Sequence, residues 1–505
     1  MKKNLKIFYT SDIHAYFFDT DYRSREHCDV GLFGLCNQFS RDENTLVIDG
    51  GDMLQGSPFA TYVRNNLNEC AVFSQIMNDA GYDYIALGNH DFNFGYDVLK
   101  SYVNNLNGKA LGANVVDKRN EMPILPFDIK VMPNGLKVGI VGGVTDYVNL
   151  WEASENLTEI KVEEVFSALK NSLEKIKSQC DVTICVYHGG FEAPLDDIEN
   201  VDVGTENVGI KICRELNFDL LLTSHQHCKI EGRTLYGTHT LQLPSNGASF
   251  AEINLAVDGE NIEIDSKQIN SNYSLPSKID VGTYSELENS TQDWLDEPVG
   301  QLSENIGETD TLKLMKDGSR FADMCNAMIL DHSGADFSCV SLMNCPYALQ
   351  KTVTIRDIVS SYPFVNMISK VEVSIAELKV ALERVAEFYS IQNGQLKIND
   401  KFLKPKMELY NYDFYYGFDY TIDVSKPVGQ RVVEISKNRE ALNLDDKYVV
   451  AMSSYRATGT GGYDVFRKAK NKQQDPKEVQ QLLIENIMKN KLTKLPPKSG
   501  MKIVY

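Results

Sequence analysis

The sequence predicts an α/β protein built from at least two domains. Three observations carry this. The chain has 505 residues, more than one core of roughly 100–200 residues accounts for. Its first half alternates short apolar runs with segments of helical period. Five of those apolar runs end in a polar cluster rich in Asp, His, Asn and Gly.

The runs expected to be strands are Leu5 to Tyr9, Thr45 to Ile48, Tyr84 to Leu87, Val138 to Val141, Val182 to Tyr187 and Asp219 to Leu222. Between them, Val162 to Lys177 places Val165, Phe166, Leu169, Leu173 and Ile176 at helical spacing, and Val208 to Leu216 is a shorter helix. Strands dominate from Gly237 to Ile264, and a polar helix is expected within 279–297, ending before Pro298. In the second half, helices are expected at Arg320 to Leu330 and Ile375 to Ser390. Strand-like sequence fills the rest, with turns at Asn393-Gly394, Lys426-Pro427 and Gly459 to Gly462. The domains are drawn at 1–278 and 299–505, with 279–298 as a linker helix.

Composition narrows the function. With 51 basic and 70 acidic residues the net charge is -19, which disfavours the phosphate backbone of a long nucleic acid as partner. No stretch approaches the roughly 18 apolar residues that cross a bilayer, so no membrane partner is expected. The ten cysteines form no C-x-x-C pair, and the start of the chain shows no signal-peptide h-region. Both point to a reducing, cytoplasmic setting, with a secreted or cell-surface location as the alternative if a signal was removed.

The clusters are Ser11-Asp12-Ile13-His14, Gly50-Gly51-Asp52, Gly88-Asn89-His90-Asp91, His188-Gly189-Gly190 and Ser224-His225-Gln226-His227. Five of the eight histidines lie in them. Any one alone reads as turn chemistry, because Asp and Gly are the residues turns want. Together, at the carboxyl ends of strands where open α/β sheets bind ligands, they suggest one rim. Mixed Asp, His and Asn donors suit borderline divalent ions such as manganese, zinc or iron. Two ions about 3.5–4 Å apart, bridged by a carboxylate, hold a hydroxide for in-line attack on phosphorus.

Read in order, Asp12-x-His14, Gly51-Asp52, Gly88-Asn89-His90-Asp91, His188 and His225-x-His227 resemble the signature of the calcineurin-type metallophosphoesterases. The second half resembles the C-terminal domain of the 5'-nucleotidase family. The resemblance implies a four-layer α/β/β/α N-terminal domain and an α/β (α+β) C-terminal substrate-binding domain. It implies two divalent ions, one held by Asp12, His14, Asp52 and His227, the other by Asp52, Asn89, His188 and His225. It makes His90 a catalytic residue, whose orienting partner falls at Asn93 where 5'-nucleotidases carry Asp. The run from Gly88 to Gly95 instead resembles the bacterial 2',3'-cyclic-nucleotide 2'-phosphodiesterase branch.

On the substrate side, Tyr362-Pro363-Phe364-Val365-Asn366 resembles the family's Pro-Phe-x-Asn element, and Ser454-Tyr455-Arg456-Ala457 its second aromatic loop. The resemblance implies that Phe364 and Tyr455 sandwich a nucleobase and that Asn344 and Asn366 also bind substrate. Asn344-Cys345-Pro346-Tyr347-Ala348-Leu349 keeps the Asn of a family Asn-Gly-Gly-Gly-Ile-Arg element and loses its phosphate-reading Arg, for which Arg356 and Arg456 are candidate replacements. The family's ribose-binding Asp falls at Gly461.

The leading expectation is a dinuclear phosphoesterase on nucleotides, a 2',3'-cyclic-nucleotide 2'-phosphodiesterase with 3'-nucleotidase activity. The alternatives are 5'-nucleotidase or UDP-sugar hydrolase activity and, in another class, a nucleotide-binding protein with a decayed centre. No G-x-S-x-G elbow or P-loop offers a different phosphate chemistry.

Overall fold

Each apolar run of the N-terminal half becomes a strand. The computed structural model describes residues 2–67, 70–193, 195, 206–259, 261–364, 366–404, 407–469, 472–490 and 492–505. One of the quoted elements reaches beyond these: Val365 of the Pro-Phe-x-Asn element lies outside the described residues. The chain divides into two units, Met1–Gln292 and Asp293–Tyr505. The division falls inside the helix Gly282–Leu295.

The first unit holds two large sheets. One runs Asn261–Asn270, Ser249–Asp258, Lys3–Thr10, Thr45–Asp49, Tyr84–Ala86, Lys109–Leu111, Ile124–Leu125. The other runs Ile230–Leu235, Thr238–Gln242, Leu220–Thr223, Val182–His188, Lys137–Val144, Phe127–Val131. Alternation along the strands explains the layering, since successive side chains point to opposite faces. Leu5, Ile7 and Tyr9 pack with Ile140, Ile184 and Leu222 between the sheets. Phe8 points the other way and stacks on Phe39, just beyond the helix Leu32–Cys36. On the far side of the second sheet, Val141, Cys185 and Leu221 lie under the helices Val165–Ile176 and Gly209–Glu215. The result is helix, sheet, sheet, helix.

Lys3–Thr10, Thr45–Asp49 and Tyr84–Ala86 are parallel, as are Lys137–Val144, Val182–His188 and Leu220–Thr223. All five polar clusters therefore leave from carboxyl ends of parallel strands.

The second unit centres on a mixed five-stranded sheet ordered Asp413–Tyr416, Phe337–Ser341, Lys447–Ser453, Met367–Ser374, Lys472–Glu478. Three sequence expectations need correction here. The helix from Ile375 stops at Ala386, short of Ser390, because Tyr389–Gln392 pairs with Gln395–Ile398. Asn393 and Gly394, at φ 53° and 74°, supply the tight turn between them. The strand-like reading of the rest also missed the helices Ile355–Ser361 and Val479–Lys489, the latter burying Val479, Leu482, Leu483 and Ile487. Finally, Arg456 is not placed to read a phosphate. It is only 2 % exposed, with Nε 2.8 Å from an Asp413 oxygen and the guanidinium 4.0 Å from the Tyr463 ring centre. Arg356 is likewise buried and pairs with Asp296.

All ten cysteines are unpaired thiols. Among the described residues, no helix is long and apolar enough to cross a membrane.

Candidate metal centre

The loops after the parallel strands converge. Asp12, His14, Asp52 and His227 offer ligand atoms that all lie within 4.8 Å of one another, and Asp52, His188 and His225 form a second such group. Asp52 belongs to both. Asn89 joins the second group, its Oδ1 lying 3.1 Å from His188 Nε2 and 2.8 Å from His225 Nδ1. Five of these residues have left-handed backbones: Asp12, His14, Asp52, His225 and His227 have φ between 52° and 71°. Such conformations cost about 1–3 kcal/mol each in non-glycine residues and collect at functional sites.

Backbone groups aim the side chains. His14 Nδ1 donates to the Gln55 carbonyl and His188 Nδ1 to the Gly50 carbonyl, each at 2.7 Å. Both Nε2 atoms are thereby turned inward, as ligand imidazoles usually are. His14 Nε2 sits 3.1 Å from His227 Nε2. The carboxylates are each pinned by one oxygen: the His225 N–H donates to Asp12 Oδ1 and the His90 N–H to Asp52 Oδ1. The other oxygens, Asp12 Oδ2 and Asp52 Oδ2, are buried and have no hydrogen-bond partner.

Buried acceptors without donors are costly, and here they face imidazole nitrogens: Asp52 Oδ2 is 3.3 Å from His188 Nε2 and 3.8 Å from His14 Nε2. The donor set of carboxylate, imidazole and amide fits divalent cations. Burial drives the His14 imidazole down to about 4, so it is a neutral donor at pH 7. Burial also works against a charged His188, but the Asp52 carboxylate outweighs it and lifts that group to about 9. For Asp12, the His227 hydrogen bond overcomes burial and holds the carboxyl at about 2.

Gly88 explains how close the loops come, since a Cβ there would lie 2.1 Å from Asp52 Oδ1. Asp91 holds the same junction. Its carboxylate accepts from the N–H groups of Asp52, Met53, Leu54 and Gly88. The sequence shows Asp91 only as a motif letter, and the structure makes it the clasp between two ligand loops. His90 belongs to neither group of donors. Its ring lies 5.5 Å from that of His14, and its Nδ1 donates to Asn93 Oδ1 at 2.8 Å. Sequence reasoning missed Trp151, stacked on His225 with ring centres 5.3 Å apart, and Glu152, which accepts from Asn93 Nδ2 at 2.6 Å. No fixed spacing advertises either.

A model of the calcineurin-like phosphoesterases matches residues 5–229, and one of the 5'-nucleotidase C-terminal domain matches residues 298–468. The chain belongs to the calcineurin-like phosphoesterases with a 5'-nucleotidase C-terminal domain. It is a metal-dependent phosphoric ester hydrolase, and the Asp/His groups, buried except for the half-buried His225 and the exposed His227, are where divalent metal fits. This phosphoesterase is 24% identical to the trifunctional nucleotide phosphoesterase YfkN of Bacillus subtilis across 97% of its own length, spanning 38% of that protein. It is 22% identical to a 2',3'-cyclic-nucleotide 2'-phosphodiesterase/3'-nucleotidase of Salmonella typhimurium, with 90% and 81% of the two chains covered. A Staphylococcus aureus structure provisionally named a 5'-nucleotidase, solved with alpha-ketoglutarate, covers both chains fully at 29% identity and TM-score 0.91.

In the second unit of the phosphoesterase, strand register brings the two aromatics to one end of a sheet. Ile368 lies opposite Ser453, so Phe364, just before Met367–Ser374, and Tyr455, just after Lys447–Ser453, leave the sheet together. Phe364 is half-buried, edge-on to Tyr362 at 5.3 Å. The Asn366 carbonyl accepts from the Val479 N–H. Asn344 is engaged at both ends of its amide, donating to the Met407 carbonyl and accepting from the Tyr410 N–H. Gly461, at φ 79°, packs so tightly that a Cβ would fall 2.4 Å from Asn411 Oδ1, so an Asp does not fit there.

Proposed function

We propose that the phosphoesterase is a 2',3'-cyclic-nucleotide 2'-phosphodiesterase with 3'-nucleotidase activity, working at a centre of two divalent ions. The observation that carries the dinuclear reading is Asp52, shared by two adjoining groups of donors. Asp12, His14, Asp52 and His227 would hold one ion, and Asp52, Asn89, His188 and His225 the other. When bound, such ions polarise phosphoryl oxygens and make a nucleophilic oxygen available at neutral pH. Manganese, zinc and iron all suit these donors.

The protein's own groups do the rest. With Nδ1 committed to Asn93, His90 presents Nε2 to the phosphoryl group and to the departing ribose oxygen. Hydrolysis of the cyclic diester forms one P–O bond from water and breaks the P–O2' bond, and the 2' oxygen takes up a proton. The product is a 3'-monophosphate, which is the substrate of the second activity, so one centre serves both steps. Asn93 in place of Asp, the absence of a family phosphate-reading Arg and the names of the relatives favour this reading over 5'-nucleotidase.

Hydrolysis rates for 2',3'-cyclic AMP, 3'-AMP, 5'-AMP and bis-nitrophenyl phosphate, each with manganese, zinc or no metal, test it. The cyclic diester is expected to lead and activity to need metal. A 5'-AMP preference selects 5'-nucleotidase or UDP-sugar hydrolase instead, and nucleotide binding without turnover selects a binding protein.

Phe364 and Tyr455 are proposed to stack on the base, which tolerates any base because each has a π face. Phe364→Ala and Tyr455→Ala should each weaken nucleotide binding by about 1–3 kcal/mol, read as KM or by calorimetry. Hydrolysis of bis-nitrophenyl phosphate, which has no base, should change much less. Equal losses on both substrates would refute the stacking role.

A further inference from the structure

The side chains behind His90 form a chain of directed hydrogen bonds that ends in a carboxylate. His90 Nδ1 donates to Asn93 Oδ1 at 2.8 Å, and Asn93 Nδ2 donates to Glu152 Oε2 at 2.6 Å. The other Glu152 oxygen, Oε1, accepts from Asn156 Nδ2 at 2.8 Å and from the Ala153 N–H at 2.8 Å. Asn156 Nδ2 also reaches the Asn93 carbonyl at 2.9 Å. Glu152 lies at the end of the short helix Val148–Trp151, whose last residue stacks on His225. One turn of chain thus buttresses both His225 and the His90 pair.

An amide alone is an ambiguous partner for an imidazole. Turned one way, Asn93 offers Oδ1 and selects the tautomer with a proton on Nδ1. Turned over, it offers NH2 and selects the opposite tautomer. An ionised carboxylate only accepts, so Glu152 removes the ambiguity: the amide must point its NH2 at Glu152 and its oxygen at His90. A mis-set tautomer at a comparable imidazole costs turnover heavily.

We propose that Glu152 is a positioning residue for the phosphoesterase reaction, acting through Asn93 to fix the orientation and tautomer of His90. The Glu152 carboxylate here acts one residue removed from the imidazole, where an Asp at position 93 would contact it directly. The inference rests on the assignment of His90 made above.

The test is a kinetic cycle on the metal-loaded full chain with 2',3'-cyclic AMP. Glu152→Ala should lower kcat about 10- to 100-fold, with KM and bound metal within twofold of the parent. In a His90→Ala background, Glu152→Ala should cost nothing further. The exchanged pair Asn93→Asp with Glu152→Gln restores an acceptor toward His90 and a donor toward Asp, and should recover most of the lost kcat, which also separates the relay from a folding defect. Full kcat in Glu152→Ala, a loss that persists without His90, or no recovery by the exchanged pair overturns the proposal. Full activity of His90→Ala alone instead removes the assignment of His90, and the relay with it. If the wild type prefers 5'-AMP, the substrate assignment falls separately and the same cycle is read on that substrate.

Discussion

Asp52→Asn should abolish turnover, by on the order of 1,000-fold or more, and strip the centre of its metal. The substitution keeps shape and removes charge. Asp52 Oδ1 is already pinned by the His90 N–H, so the amide oxygen inherits that bond and the NH2 is turned toward His188 and His14. A donor then stands where an acceptor without a partner stood. Among the described residues no other serves both groups of ligand atoms, so His14→Asn or His188→Asn should each weaken one ion while Asp52→Asn loses both. Elemental analysis after gel filtration reads the metal, and initial rates with 2',3'-cyclic AMP read the chemistry. Full turnover with two ions retained per chain would sink the bridging role.

The candidate metal centre was legible because each of its donors follows closely on an apolar run. A strand that ends in Asp-x-His, Gly-Asp or Gly-Asn-His needs only parallel pairing to deliver its polar end to a common rim, and local pattern reveals both. The resemblance implied which residues share an ion, and in the structure Asp12, His14, Asp52 and His227 lie together, as do Asp52, His188 and His225. What lay hidden is set by contacts distant in sequence. Glu152 meets Asn93 across 59 residues with no motif between them. Arg456 looks like any loop arginine until Asp413, 43 residues earlier, is seen to bury it. The segment Ile375–Ala386 had a clear helical pattern, but its end was decided by the pairing of Tyr389–Gln392 with Gln395–Ile398. The helix Val479–Lys489 was masked by the lysines and glutamines around it, although Val479, Leu482, Leu483 and Ile487 carry a helical stripe.

His90→Ala should leave the metals bound and collapse turnover on the cyclic nucleotide about 100- to 10,000-fold. Geometry separates the two effects. The hydrogen bond from His90 to the ligand shell runs through its backbone N–H to Asp52 Oδ1, which alanine keeps, whereas the imidazole, edge-on to the His14 ring, stands outside both groups of donors. The leaving group then distinguishes what the imidazole does. A ribose hydroxyl is a poor leaving group and gains much from a proton delivered by Nε2. A nitrophenolate leaves readily without one, so bis-nitrophenyl phosphate should lose far less in the same variant. If both substrates suffer equally while metal is retained, His90 acts on phosphoryl charge and not on the leaving oxygen. If metal content falls in step with activity, His90 is a ligand, and the division of the cluster into seven donors and one catalytic imidazole fails.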